Sequence, residues 1–351
     1  MIRSLQSLRF VFIMLVVMSH IIGRSFDFGG ECGVSFFFVL SGFLLSYAYG
    51  PRVRQGCFLR GRFLARQLLK FYPLHLLTFL AMVALDARLG TVYSWPKLVA
   101  NVLLLQSWVP SDDFFFVANG SSWFLSDLMF FYAVFSVLFL WLTTAPVRRL
   151  LGVGAVVLAG YVALAVAIPS DRVNAVLYAS PVTRLLDFSL GILVCRVYAS
   201  AAADGVGRWL SALPAARVSA LEAVLVLWVA GAFFVYEWSA PGFRCAALFW
   251  LVSPVVLLGF VLTDPLGGVV TRVLHHRAML FLGSISFEIY LTHWLTLRVL
   301  YSVMQTGGLG EPYRLQLPCV AVSVVAILVV AFAAKRLFVD RVFAAFVKYV
   351  E

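Results

Sequence analysis

The sequence is short of charge. Only 12% of its 351 residues are Asp, Glu, Lys or Arg, about half the share usual in a soluble domain. With 63% of the chain hydrophobic and a mean hydropathy of +0.98, so little charge cannot cover a water-facing surface. A soluble enzyme, a disordered tail and a coiled coil are excluded on that ground. The five cysteines form no Cys-x-x-Cys pair and no Cys/His ligand spacing, so neither a disulfide framework nor a zinc site is read. Strand-like alternation is missing too: the apolar residues come in long unbroken runs, which argues against a β-barrel. Low-complexity bias and internal repeats of the inverted-transporter kind are also absent. No small-x-small cleavage site follows the first apolar run, which contains Arg9 and His20. That run reads as a retained span rather than a signal peptide.

What is present predicts an all-α polytopic membrane bundle. Ten spans are expected, at roughly 8–24, 33–49, 68–86, 121–144, 150–168, 182–199, 218–237, 243–263, 279–303 and 315–336. The apolar stretch 95–109 is too short to cross and reads as re-entrant or interfacial. A single integral-membrane domain over 1–351 is expected. The net charge of +11 has a plain reading. With a cytoplasmic N-terminus, 19 of the 27 Lys and Arg residues fall inside, Lys348 among them, and 8 outside, Arg24 and Arg314 among them. The positive-inside rule then places both termini in the cytoplasm. The basic balance implies contact with membrane lipids and no nucleic acid.

Ionisable groups within spans are costly and are functional candidates by default. Arg9 and His20 stand eleven positions apart, about 16 Å along a helix and close to three full turns, so they share a face. Arg9 is expected near the cytoplasmic surface and His20 well into the membrane. A fixed cation and a deeper imidazole on one stripe suit an anionic cytoplasmic cofactor whose reactive end reaches a base. The plain alternative is a snorkelling arginine and a histidine bonded to a neighbouring helix. The stretch with Arg52, Arg54, Arg60, Arg62, Arg66 and Lys70 obeys the positive-inside rule. It can equally cradle phosphates, because guanidinium forks match phosphate oxygens. The remaining intramembrane polar groups are Asp127, Asp187, Glu222, Glu288, His293, Tyr132 and Tyr290. Arg184 and Asp187, three apart, are expected to pair. Glu288 and His293, five apart, do not quite share a face. Ser41, beside Gly42, reads as a small packing residue.

These residues sit in a recognisable context. Ser4-Leu5-Gln6-Ser7-Leu8-Arg9-Phe10 followed by His20 gives an Arg-x10-His pattern. Downstream come Gly33-Val34-Ser35-Phe36-Phe37-Phe38-Val39-Leu40-Ser41-Gly42-Phe43-Leu44, a basic stretch ending in Tyr72-Pro73, and Ser122-Trp123-Phe124-Leu125-Ser126. Arg184-Leu185-Leu186-Asp187-Phe188 and Gly283-Ser284-Ile285-Ser286-Phe287-Glu288-Ile289-Tyr290-Leu291-Thr292-His293-Trp294 complete the set. Taken in this order, the chain resembles the bacterial acyltransferase family 3, multi-span membrane proteins that acylate sugars and other surface molecules. The family's basic motif has Arg-x-x-Arg before Tyr-Pro; here Gln67 and Lys70 stand in those places, and a lysine gives no bidentate fork. The acidic pair that often follows the family's Trp-x-Leu-Ser segment is replaced by Asp127-Leu128-Met129.

The resemblance implies acyl transfer, with acetyl the expected group, from cytoplasmic acetyl-CoA or another acyl-CoA; no metal site is read. The acceptor it implies is a hydroxyl of a surface glycan or its lipid-linked precursor, at the bacterial inner membrane. Arg9, Arg60, Arg62, Arg66 and Lys70 are then expected to hold the CoA phosphates, and His20 to be the general base. Asp127 or Glu288 would orient the imidazole, and Tyr290 or His293 would donate to the developing oxyanion. Two other readings stand beside this one: a proton-coupled transporter or flippase using His20, Glu288 and His293, and acyl transfer to a lipid or small molecule.

Overall fold

A computed structural model describes residues 2–307 and 316–346, together with the backbone but not the side chains of Arg24 and Ser25. Arg314, Lys348 and the first residue of the tenth predicted span therefore lie outside the described residues. No strand occurs among the described residues. In chain order the helices are α1 (Arg3–Ile22), α2 (Asp27–Arg54), α3 (Arg60–Arg88), α4 (Trp95–Val102), α5 (Asp112–Phe115) and α6 (Trp123–Thr144). Next come α7 (Val147–Ala167), α8 (Pro181–Tyr198), α9 (Ala201–Ser211), α10 (Ala215–Trp238), α11 (Pro241–Arg244) and α12 (Phe249–Thr263). The last are α13 (Val269–Leu274), α14 (Arg277–Ser284), α15 (Ser286–Thr306), α16 (Leu317–Ala334) and α17 (Asp340–Phe346).

Among the described residues, eight helical stretches are long and apolar enough to cross a membrane, and two bent pairs, each taken as one span, bring the number to ten. Every predicted run has its counterpart. The bends are the novelty. A π-turn over Asn174–Tyr178 breaks the sixth span, which turns by 51° into α8 at Pro181. The ninth span turns by 64° between α14 and α15. The stretch 95–109 does not cross. It forms the eight-residue α4 and a 3-10 turn, tied down by Tyr72 Oη donating to the Val102 carbonyl (2.9 Å) and by His75 Nε2 bonded to the Asn101 carbonyl (3.1 Å).

Helix α2 is the centre of the bundle and packs against α1, α6, α8 and α12. Its closest neighbour is α8, and glycine makes the approach possible. A Cβ on Gly191 would run into the Val39 carbonyl and stand 2.8 Å from the Phe43 nitrogen; Gly42 opposes the Phe188 carbonyl in the same way. Gly191→Ala is expected to destabilise the bundle by about 1–3 kcal/mol, the usual cost of overpacking. A lower midpoint of thermal unfolding in detergent checks it.

The same helix pair carries the expected Arg184–Asp187 contact, fully buried, with Nη1 3.3 Å from Asp187 Oδ2. Arg184 also donates to Ser35 Oγ on α2 (2.9 Å) and, through Nε, to the Tyr178 carbonyl (2.8 Å). This ion pair ties the broken sixth span to the centre of the bundle. Glu222 is structural as well: its carboxylate accepts from the Val270 and Thr271 amides (2.9 and 3.2 Å) and from Thr271 Oγ1 (2.5 Å), which caps α13.

Candidate active site

Helix α1 carries both ends of the site. It begins at the arginine-rich end of the bundle and stops at Gly23, whose φ of 75° ends the helix. His20 therefore stands in the last turn of α1, near the far end of the bundle, and not deep within the span as expected. Arg9 lies about three turns back on the same side.

At the far end, a cavity of about 310 Å³ is lined by His20, Val16, Val34, Phe116, Gly120, Ser121, Trp123, Tyr178, Tyr290 and Trp294. The His20 ring meets Trp294 edge-on, with centroids 5.1 Å apart. His293 is fully buried behind it, its Nε2 3.2 Å from His20 Nδ1. The partners of the two rings assign their protons. His293 Nδ1 faces the Tyr290 and Ile289 carbonyls at 2.6 and 3.2 Å, and His20 Nδ1 faces the Val16 carbonyl at 3.0 Å. A carbonyl only accepts, so each Nδ1 carries the proton in a neutral ring. His293 Nε2 is then an acceptor turned toward the His20 Nδ1–H, and the basic lone pair of His20 resides on Nε2.

Tyr290 is shared with a second cavity of about 290 Å³ that also contains Arg9, Gln67 and Lys70. The walls of that cavity are mostly apolar, formed by Phe37, Leu44, Phe71, Leu128 and Phe287, with Ser41 and Tyr132 among them. Ser41 Oγ donates to the Phe37 carbonyl (2.8 Å), as a packing residue does. Arg9, Tyr49, Gln67, Lys70 and Phe287 also line a third cavity of about 510 Å³, which adds Arg66, Glu288, Lys335 and Asp340. A fourth, of about 350 Å³, holds Arg52, Arg62 and Arg66 beside Tyr49, Phe58 and Phe63. Shared wall residues thus make the four cavities neighbours, from the cationic, aromatic ones at the arginine-rich end to the His20 cavity, with Tyr290 between the last two.

Not every expected residue joins this row. Arg60 lines none of these cavities; it donates to Ser136 Oγ on α6 at 3.0 Å. Asp127 is fully buried on α6 beside the Ser107–Ser126 hydrogen bond and lines neither the His20 cavity nor the Arg9 cavities. Glu288 lies in the cationic cavity, 3.4 Å from Lys335 Nζ. Neither acid therefore orients His20 as expected; a side chain five positions before His293 points some 140° away around the helix. The hydroxyl proton of Tyr290 is already given to the Ser121 carbonyl at 2.5 Å, and the neutral His293 presents only a lone pair to His20. Two other N–H-bearing side chains, the indoles of Trp123 and Trp294, stand in the wall of the same cavity.

Two contributors escaped the sequence reading. Trp294 was visible only as the last letter of a motif. Lys335 follows an apolar run and looks like any positive-inside flank. The outer segment adds a buried polar frame of the same kind: Asn119 Nδ2 donates to Thr78 Oγ1 (3.0 Å) and to the Leu291 carbonyl (2.9 Å), and Gln106 Nε2 to the Ser122 carbonyl (3.1 Å). This frame fixes residues 119–122 against α15 and so shapes the His20 cavity.

Residues 2–333 match the family model described as the acyltransferase domain, and the chain belongs to acyltransferase family 3. A relative named acyltransferase MdmB, from Streptomyces mycarofaciens, is 29% identical over 324 residues, covering 87% of this chain and 78% of its own. No solved structure matches. The protein is thus a multi-pass membrane acyltransferase.

Proposed function

We propose that the protein transfers an acyl group, most simply acetyl, from cytoplasmic acyl-CoA to an uncharged hydroxyl of a surface glycan or its lipid-linked precursor. The arginine-rich end and both termini then face the cytoplasm, and the membrane is the bacterial inner membrane. The observation that carries this reading is the row of neighbouring cavities, cationic at one end and ending at a histidine whose basic nitrogen is set by its partners. CoA matches the row: phosphates for Arg9, Arg62, Arg66 and Lys70, a long arm for the apolar middle, and a thioester for His20.

In this mechanism His20 Nε2 takes the proton of the acceptor hydroxyl as its oxygen attacks the thioester carbonyl. The tetrahedral oxyanion collapses, the C–S bond breaks, and the CoA thiolate takes the proton back from His20. Trp294 Nε1–H steadies the oxyanion. His293 Nε2 and the Val16 carbonyl steady the transient imidazolium through its Nδ1–H, which makes His293 a positioning residue. The aromatic lining of the outer cavity suits the apolar faces of a sugar ring. The transporter reading needs His20, Glu288 and His293 in one relay, and Glu288 lies with the cations instead.

Purified protein in nanodiscs, given acetyl-CoA at low salt, is expected to release free CoA thiol with saturable kinetics. Absence of both thiol release and CoA binding would overturn the donor assignment. His293→Leu is expected to lower turnover roughly ten- to a hundredfold, the worth of a hydrogen bond to a charged group. CoA binding, followed by calorimetry, is expected to stay unchanged in that variant.

A further inference from the structure

The cationic cavity holds more charge than the sequence reading assigned to it. Four cations line it, Arg9, Arg66, Lys70 and Lys335, against two carboxylates, Glu288 and Asp340. Lys335 comes from beyond residue 333, where the family match ends. It opens a π-turn over Lys335–Val339 that leads into α17, so that Val339, Phe343 and Ala344 close the cavity wall. Lys335 Nζ is 3.4 Å from Glu288 Oε1 and 3.5 Å from Asp340 Oδ1, both long for ion pairs. The Glu288 side chain is only 4% exposed, and its Oε2 is buried with no hydrogen-bond partner among the described residues. A carboxylate taken out of water with one oxygen unsatisfied and the other on a single long hydrogen bond from Lys335 is loosely held, and a better partner for the lysine can displace it.

We propose that Lys335 is a donor-binding residue for the phosphates of acyl-CoA and that Glu288 is its exchangeable counter-ion. The proposal rests on the donor reading above. In the empty site, Glu288 keeps Arg9, Lys70 and Lys335 from repelling one another. When the donor arrives, a phosphate with more acceptor oxygens and more charge takes over Lys335. When spent CoA must leave, the carboxylate competes for the same ammonium and loosens it. Glu288 therefore tunes donor affinity and product release, and has no contact with the reacting atoms.

The test is CoA binding by calorimetry, in nanodiscs of zwitterionic lipid, to the wild type, Lys335→Gln, Lys335→Arg, Glu288→Gln and the Lys335→Gln/Glu288→Gln double variant. Thermal unfolding of each variant reports whether it is folded. Lys335→Gln is expected to weaken CoA about tenfold, and Lys335→Arg to restore most of the loss. Glu288→Gln is expected to tighten CoA about threefold, a gain that vanishes in the double variant. Wild-type affinity in Lys335→Gln, alongside weakened binding in Arg9→Gln, overturns the role of Lys335 and leaves the donor reading standing. Failure of the wild type to bind CoA at low salt overturns both. Adding phosphatidylglycerol separates the other source of phosphate: if Lys335 serves a lipid headgroup, Lys335→Gln loses the stabilisation given by that lipid and keeps its CoA affinity, which contradicts the proposal.

Discussion

His20→Ala is expected to lower acyl transfer by about 10²–10⁴-fold, the contribution usual for a positioned general base, while CoA still binds with wild-type affinity. The separation follows from geometry. His20 ends α1 in the outer cavity, with Tyr290 standing between that cavity and the one containing Arg9 and Lys70. In the proposed mechanism, removing the imidazole takes away the acceptor of the hydroxyl proton and leaves untouched the cations proposed to hold the phosphates. Thiol release from acetyl-CoA in the presence of acceptor reads the first quantity, and calorimetry with CoA reads the second. An alanine variant that turns over at the wild-type rate would remove His20 from the chemistry.

Arg9→Gln is expected to do the reverse. Arg9 lines both inner cavities, one of which shares Tyr290 with the cavity that holds His20. A charge-assisted hydrogen bond to phosphate is worth about 1.5–3 kcal/mol, so CoA affinity is expected to fall by roughly ten- to a hundredfold. The salt dependence of the remaining binding is expected to flatten, because one charged contact is gone. Arg9→Lys is expected to recover part of the affinity, since an ammonium keeps the charge but lacks the planar fork. Equal affinity of Arg9→Gln and the wild type for CoA would move the donor site elsewhere.

The two residues that matter most in these expectations were legible in the sequence, and the reason is periodicity. Eleven helical positions return almost to the same face, so Arg9 and His20 declared one stripe before any neighbour was known. The ten spans were legible for a similar reason: a run of apolar residues long enough to cross a bilayer has few other uses. The breaks were not. Nothing in hydropathy distinguishes a straight span from one bent at Ile285, and the bend at Ser180 is announced only by Pro181.

The partners of His20 were hidden for a different reason. His293 is 273 positions away, and only the packing of α15 against α1 brings Nε2 within 3.2 Å of His20 Nδ1. A carboxylate in the same motif looked like the better partner until α15 turned it toward the cations. Lys335 was concealed by the positive-inside rule itself, because a flank of basic residues after a span looks the same whether or not it lines a cavity. In the frame made by Asn101, Gln106, Asn119 and His75, the three amides were invisible because such residues between spans look like an ordinary loop, and His75, inside the third span, gave no sign that the Asn101 carbonyl is its partner. Burial of all four at 0% exposure is a property of the folded outer segment alone.

The most direct measurement is an experimental structure of the protein with an unreactive acetyl-CoA analogue bound. The phosphates are predicted to lie against Arg9, Lys70 and Lys335, the arm to pass Phe37, Phe71 and Tyr290, and the carbonyl carbon to sit within reach of the cavity that holds His20 Nε2. A CoA bound with its thioester outside these cavities, or on the far face beside His20 with its phosphates away from Arg9, would contradict the linked route from the cationic mouth to the base.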